Sequence, residues 1–311
     1  MKCPKCNEEV KPHWKICPNC DYRPKRCSRE GCHTGWLPEY AHFCPGCGSP
    51  VKGEESLNLK PAIEEFIRKR SNATSDFTSN DEAKQLTITF EGVEFDMIRV
   101  EAGSFTMGDD KEGDCPSHGV ILTKDYLIGK TPVTQELWET LMGENPSEFK
   151  GGDHPVENIS WEVCQRFIRK LNEMTGMRFR LPTEAEWEFA ARGGNLSGDY
   201  EYAGSESVDD VAWYRDNSDG GTHPVLEKAP NELGIYDMSG NVWELCADWY
   251  DSDYYNISPQ RNPSGPAKGS IHVARGGSWR NVAKFCRISC RFNYSHNFGN
   301  SRLGFRLALS E

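Results

Sequence analysis

The sequence predicts an α+β protein: a loop-rich body with a few helices and a small antiparallel sheet, preceded by two small metal-closed modules. Three observations predict it. Eight of the thirteen cysteines fall within the first 47 residues. Within the body, strand-like alternation and helical apolar stripes fall in residues 86–192. Beyond Gly193 the chain is rich in Gly, Asn, Asp, Tyr and Trp, with few regular runs. At 311 residues, 37% hydrophobic and 11% aromatic, it can bury a proper core. Four units are expected: residues 1–24, 25–52, a linker over 53–86, and the body over 87–311.

The first two units are read from spacing. CPKC supplies Cys3 and Cys6, and CPNC supplies Cys17 and Cys20; Cys27 and Cys32 are followed by CPGCG with Cys44 and Cys47. Each quartet suits a closed tetrahedral Zn²⁺ site, because a borderline-soft ion without d-electron preference is satisfied by four thiolates. Modules of this size bury too little to fold alone, so metal binding would supply their folding energy. Two structural zinc ions are expected, with no open position for catalysis. The quartets resemble double zinc ribbons of prokaryotic proteins, and what they would dock to is unknown.

Charge separates the head from the rest. Residues 1–52 carry nine Lys and Arg against five Asp and Glu, leaving 27 against 42 for the remainder and −11 overall. An acidic body argues against nucleic acid as the main ligand. No apolar run is long enough to span a membrane, and the start MKCPKCNEEV lacks a secretion signal, so a cytoplasmic protein is expected.

The linker, residues 53–86, is polar apart from PAIEEFIRKR, where Pro61 suits a first turn and Ile63, Phe66 and Ile67 share a helical face. The strands LTITF, VEFDMIRV and AGSFTMG come next. TQELWETLMG predicts a helix capped by Thr134. SWEVCQRFIRKLNEMTG predicts a longer one from Ser160 to Gly176, with Val163, Phe167, Ile168 and Leu171 as its stripe. LPTEAEWEFAARGG predicts a third, with Thr183 and Glu186 as a capping box.

The succession GSFTMG, KTPVTQELW, HPVENISWEVC, RLPTEAEWEFAARGG, NELGIYDMSGNVWEL, RGGSW and LGFRLAL resembles the sulfatase-modifying factor family, founded on formylglycine-generating activity. The resemblance covers residues 87–311. It implies a variant of the C-type lectin fold, with two main helices, a small twisted antiparallel sheet and long loops. It also implies candidate sites. Oxidases of the family hold copper between two cysteines after the RGGS block; here Asn281 stands where the first would fall, and Cys286 approximates the second. Ser278 and Trp243 match positions lining the substrate groove. Asp237, Gly240, Val242 and Glu244 match a stretch that binds calcium in relatives.

Two functions follow. In the preferred reading the protein is not an enzyme. It presents a C-terminal recognition surface, residues 280–301, to a protein or glycan ligand, with Trp243, Trp279, Arg280, Asn281, Asn293, Tyr294, His296, Asn297, Phe298 and Asn300 as contacts. Tyr offers area at low entropic cost, while Asn and Ser offer adaptable hydrogen bonds. Arg275, Gly276, Gly277, Gly304, Phe305 and Arg306 would frame that surface. The layout resembles the variable region of proteins diversified by retroelements. The alternative is a copper-dependent oxidase of a protein cysteine or small thiol, working through Cys286 with Ser278 and Trp243. A copper(I) site needs two soft ligands, which Asn281 cannot complete.

Overall fold

A computed structural model describes residues 84–110 and 115–310. The eight N-terminal cysteines and the linker helix lie outside the described residues. The body opens with β1 (Gln85–Phe90) and β2 (Val93–Val100), an antiparallel hairpin. In β1 the residues Leu86, Ile88 and Phe90 point inward in strict alternation. The turn is Glu91-Gly92, both at positive φ, which matches the right-handed twist of the strands it joins. Strands β3 (Gly103–Asp109) and β4 (Cys115–Leu122) form a second hairpin, and β5 (Tyr126–Gly129) returns to β2.

Three helices form where caps and stripes predict them. Thr134 accepts from the Leu137 N–H at the start of α1 (Gln135–Met142), and Gly143 ends it in the left-handed region. Ser160 caps α2 (Trp161–Thr175), which ends at left-handed Gly176. After the two-residue strand β6 (Phe179–Arg180), α3 (Glu184–Ala191) opens with the reciprocal Thr183–Glu186 box. A single turn, α4 (Val208–Val211), precedes β7 (Ala212–Trp213) and β8 (Ser239–Gly240).

The part read as irregular contains a second sheet. Strands β9 (Trp243–Trp249), β10 (Ile271–Arg275), β11 (Arg291–Ser295) and β12 (Leu303–Gly304) lie in the order β11-β10-β9-β12. The last strand, β13 (Ala308–Ser310), joins the first sheet in the order β1-β2-β5-β13-β6. Of the nine residues Trp243–Asp248 and Val273–Arg275 at the sheet's centre, all but Ala247 are buried, so no alternation advertises the strands. Within the expected recognition surface, residues 280–301, Arg291–Ser295 is strand β11.

Helices α1 and α2 pack on one side, where Trp138 stacks on Phe167 with ring centroids 5.0 Å apart and Phe305 meets both edge-on. Helix α3 packs on the other, where Trp187 and Phe189 join Val273, Cys246 and Ile288 in a second cluster. Buried arginines tie the layers together. Arg275 donates to Glu188 and lies 3.6 Å from Glu184, while Arg291 grips Glu184 at 2.6 and 2.9 Å. Arg306 binds both oxygens of Glu244 at 2.6 Å, and the Trp187 indole donates to the same carboxylate. The RGGSW and LGFRLAL blocks thus hold their ends through ion pairs inside the core. Among the described residues no helix is long and apolar enough to cross a membrane.

Candidate functional site

Strand β11 lies at the edge of the C-terminal sheet and carries the candidate surface. Its register sets Phe292 opposite Ala274 and Tyr294 opposite His272, which puts alternate side chains on the α2 side of the sheet. There the Phe292 ring stacks on Trp243 at 5.2 Å. Tyr294 meets Phe292 edge-on at 5.3 Å, and Phe298 stacks on Tyr294 at 5.9 Å. Trp243 and Tyr294 are buried and form the floor, whereas Phe292 and Phe298 are 40% and 49% exposed. Exposed rings standing on buried rings form a rigid apolar platform.

The other expected contacts distribute around this platform. Arg280 and Asn297 are exposed, and Asn293, His296 and Asn300 are half-buried, with Asn293 on the opposite face of the strand from Phe292. Asn300 has a structural part: its carbonyl accepts from the Asn158 N–H at 2.9 Å, and its side-chain oxygen accepts from the Arg302 N–H at 2.8 Å. Trp279 is buried; its indole donates to the Ser301 carbonyl at 2.7 Å and its ring meets Phe149 edge-on. Asn281 accepts from the Ser278 hydroxyl at 2.5 Å in a tight turn. Tyr294, Trp243 and Trp279, expected as contacts, are buried, and the first two stand beneath the exposed rings. Phe292 was missed, although the period-two order Phe292, Tyr294, His296 carries the signal of one strand face.

His296 closes one end of the platform. Its Nδ1 lies 3.1 Å from Nε2 of buried His272, whose ring is stacked between Trp161 at 4.1 Å and Trp249 at 3.8 Å. The Nδ1 of His272 is 3.2 Å from the Asp248 carbonyl, which can only accept. Nδ1 therefore carries the proton, and Nε2 accepts from His296. Burial pushes the His272 pKa down to about 4.

The oxidase geometry is not present. Cys286 ends a 3-10 turn (Ala283–Cys286) and is fully buried, and burial with the neighbouring Cys290 pushes its thiol up to about 12. Gly277, at φ +79°, presses against it: a Cβ there would come within 2.7 Å of the Phe285 carbonyl and 2.8 Å of the Cys286 sulfur. A thiol sealed this way stays protonated, whereas copper(I) needs thiolates. Ser278 is also fully buried. Cys290 is half-buried, and its N–H donates to the Arg287 carbonyl in a turn, so the two cysteines share no helix face. These residues do not fit a copper centre.

Of the four residues expected to hold calcium, Glu244 and Asp237 have side-chain partners within the fold. Glu244, expected as a calcium ligand, is the counter-ion of Arg306, which holds both of its oxygens. Gly240 and Val242 are buried. Asp237 accepts from the Leu226 N–H at 3.1 Å and from Asn241 Nδ2 at 3.3 Å. Burial raises its pKa from 3.8 to about 6. A raised carboxyl costs stability once ionised: the cost is absent below pH 3.8, grows between pH 3.8 and 6, and is complete above. It amounts to about 3 kcal/mol at most. Asp237→Asn is therefore expected to remove a loss of stability that the parent protein shows between pH 4 and 7, measured by urea unfolding at both ends of that range.

Residues 87–311 match the family model described as sulfatase-modifying factor enzyme 1-like domain. Over 266 residues the chain is 32% identical to the chaperone protein LppX of Paenibacillus barcinonensis, covering 70% of this chain and 90% of that one. It is 36% identical over 173 residues to the formylglycine-generating enzyme of Streptomyces coelicolor, spanning 50% of this chain and 52% of the enzyme. Among solved structures, Treponema denticola variable protein 1 superposes with a TM-score of 0.69 at 36% identity, covering 73% of this chain and 99% of that one.

Proposed function

We propose, for a chain that belongs to the sulfatase-modifying factor enzyme 1-like family, that its role is to bind a ligand rather than to oxidise a cysteine. The observation that carries this reading is the pairing of an exposed Phe292–Phe298 platform with a sealed Cys286 thiol. Apolar rings on a braced floor lose little entropy on binding and have the character of interface hot spots. The likeness to a solved protein named as variable supports the same reading, since a frame locked by Arg275 and Arg306 tolerates change in the side chains between them. For the N-terminal quartets, Cys3, Cys6, Cys17, Cys20 and Cys27, Cys32, Cys44, Cys47, the proposal remains two structural zinc ions.

The test uses the full chain. A displayed library of random dodecapeptides and an array of glycans are probed with the parent protein, Phe298→Ala and the Cys286→Ser, Cys290→Ser double variant. Phe298→Ala is expected to weaken the selected ligand by about 1 to 2 kcal/mol, and the cysteine variant to bind as the parent does. In parallel the protein is incubated with copper, a reductant and a sulfatase-type cysteine peptide, and no aldehyde is expected by mass spectrometry. Aldehyde formation lost in Cys286→Ser would establish the oxidase instead.

A further inference from the structure

Charge is distributed unevenly along the linker and body. Residues 53–253 hold 18 Lys and Arg against 41 Asp and Glu, whereas residues 254–310 hold nine basic residues and no acidic one. Three of the nine, Arg275, Arg291 and Arg306, reach back into the core to neutralise Glu188, Glu184 and Glu244. Arg280, Lys284 and Arg302 have no carboxylate partner among the described residues, and all three lie in the segments that flank β11 in the chain. Lys284 lies over the ring of Phe285 at 5.1 Å, and Phe285 packs at the margin of the core cluster that contains Trp243 and Tyr294. The Arg302 carbonyl accepts from the Trp243 N–H, and its guanidinium charge acts on the Tyr294 phenol. Arg280 follows Trp279, whose indole is fastened to Ser301.

The platform also coincides with a strand edge. Among the described residues β11 pairs only with β10, through five registered residues from Arg291 to Ser295, and stands at the end of the sheet order. An edge strand offers main-chain donors and acceptors to one further strand, with side-chain pockets reading alternate residues of the newcomer.

Resting on the binding reading above, we propose that the ligand is an acidic polypeptide segment. It adds to the β11 edge in extended form, sets apolar side chains on Phe292 and Phe298, and places carboxylates against Lys284, Arg302 and Arg280. A strand edge is recognised by polypeptide and by neither sugar nor nucleotide backbones. A nucleic acid would also extend past three cations into the field of an acidic body.

The probes are fluorescent peptides of about ten residues: alternating Glu and Val, alternating Lys and Val, and alternating Glu and Pro, the last keeping the charge but lacking strand-forming N–H groups. An oligothymidylate and an oligogalacturonate of similar charge complete the set. Binding to the full chain is read by anisotropy. The Glu–Val peptide is expected to bind about tenfold or more tightly than each of the other four, and to weaken with salt. Lys284→Glu with Arg302→Glu is expected to lose about tenfold for that peptide, with circular dichroism and melting temperature as in the parent; Lys284→Gln with Arg302→Gln serves if the reversal does not fold. The proposal is overturned if the Lys–Val or Glu–Pro peptide binds equally, if either of the non-peptide polyanions binds more tightly, if the variants bind as the parent does, or if no probe binds. Library peptides that depend on Phe298 yet carry no excess of Asp and Glu would sink this inference and leave the binding reading standing. Peptides indifferent to Phe298 would sink both.

Discussion

Replacing Arg306 with Gln is expected to destabilise the body by about 3 to 5 kcal/mol, seen as a lower urea midpoint with an unchanged slope. The guanidinium is fully buried and makes four contacts of 2.6 to 2.9 Å, two to Glu244 and one each to the Gly129 and Tyr236 carbonyls. Its removal leaves the Glu244 carboxylate with the Trp187 indole alone among the described residues, in a site without water-like screening. The penalty comes from the abandoned charge more than from any large net strength of the pair. A double variant, Arg306→Met with Glu244→Gln, is therefore expected to be more stable than the Arg306→Gln, Glu244-retaining protein. A single variant within about 0.5 kcal/mol of the parent would show that this pair does not hold the frame.

Acidification is expected to destabilise the body through His272 by as much as about 3 kcal/mol. Its pKa in the fold, about 4, lies below the ordinary 6.5. The fold therefore favours the neutral ring: the contribution is complete above pH 6.5 and is lost as pH falls toward 4. Burial between Trp161 and Trp249 is the cause, and the neighbouring His296 adds to it. His272→Gln should flatten the stability profile between pH 4 and 6.5 whatever its effect at neutral pH. Asp237 acts with the opposite sign over an overlapping window, so the two variants must be compared with the parent separately. If the difference between parent and His272→Gln does not depend on pH, the buried imidazole does not control acid stability.

His296 joins the Phe292–Phe298 platform to this imidazole through a 3.1 Å contact between the two rings. Tyr294 lies opposite His272 in the ladder, and a charged ring there would disturb the floor under Phe298.

What could be read without coordinates was whatever depends on neighbours in the chain. Thr134, Ser160 and Thr183 cap their helices because a hydroxyl reaches an N–H three residues on, and Gly143 and Gly176 end two of them because left-handed backbone costs glycine little. The alternation of Leu86, Ile88 and Phe90 likewise announced a strand with one buried face. The ordered blocks from GSFTMG to LGFRLAL pointed to the family, and Asn281 already told against a copper pair. The second sheet was hidden, since β9 is buried on both faces and β10 ends in a buried arginine. Only the tertiary structure decided which aromatic residues are floor and which are surface. Tyr294 and Phe298 are the same kind of residue to a sequence pattern, yet one is sealed under the other because β11 pairs with β10 in a single register. It decided too that Glu244 belongs to Arg306, a carboxylate and a guanidinium separated by 62 residues in the chain. Long-range pairing is set by how the layers pack, and no local spacing records it.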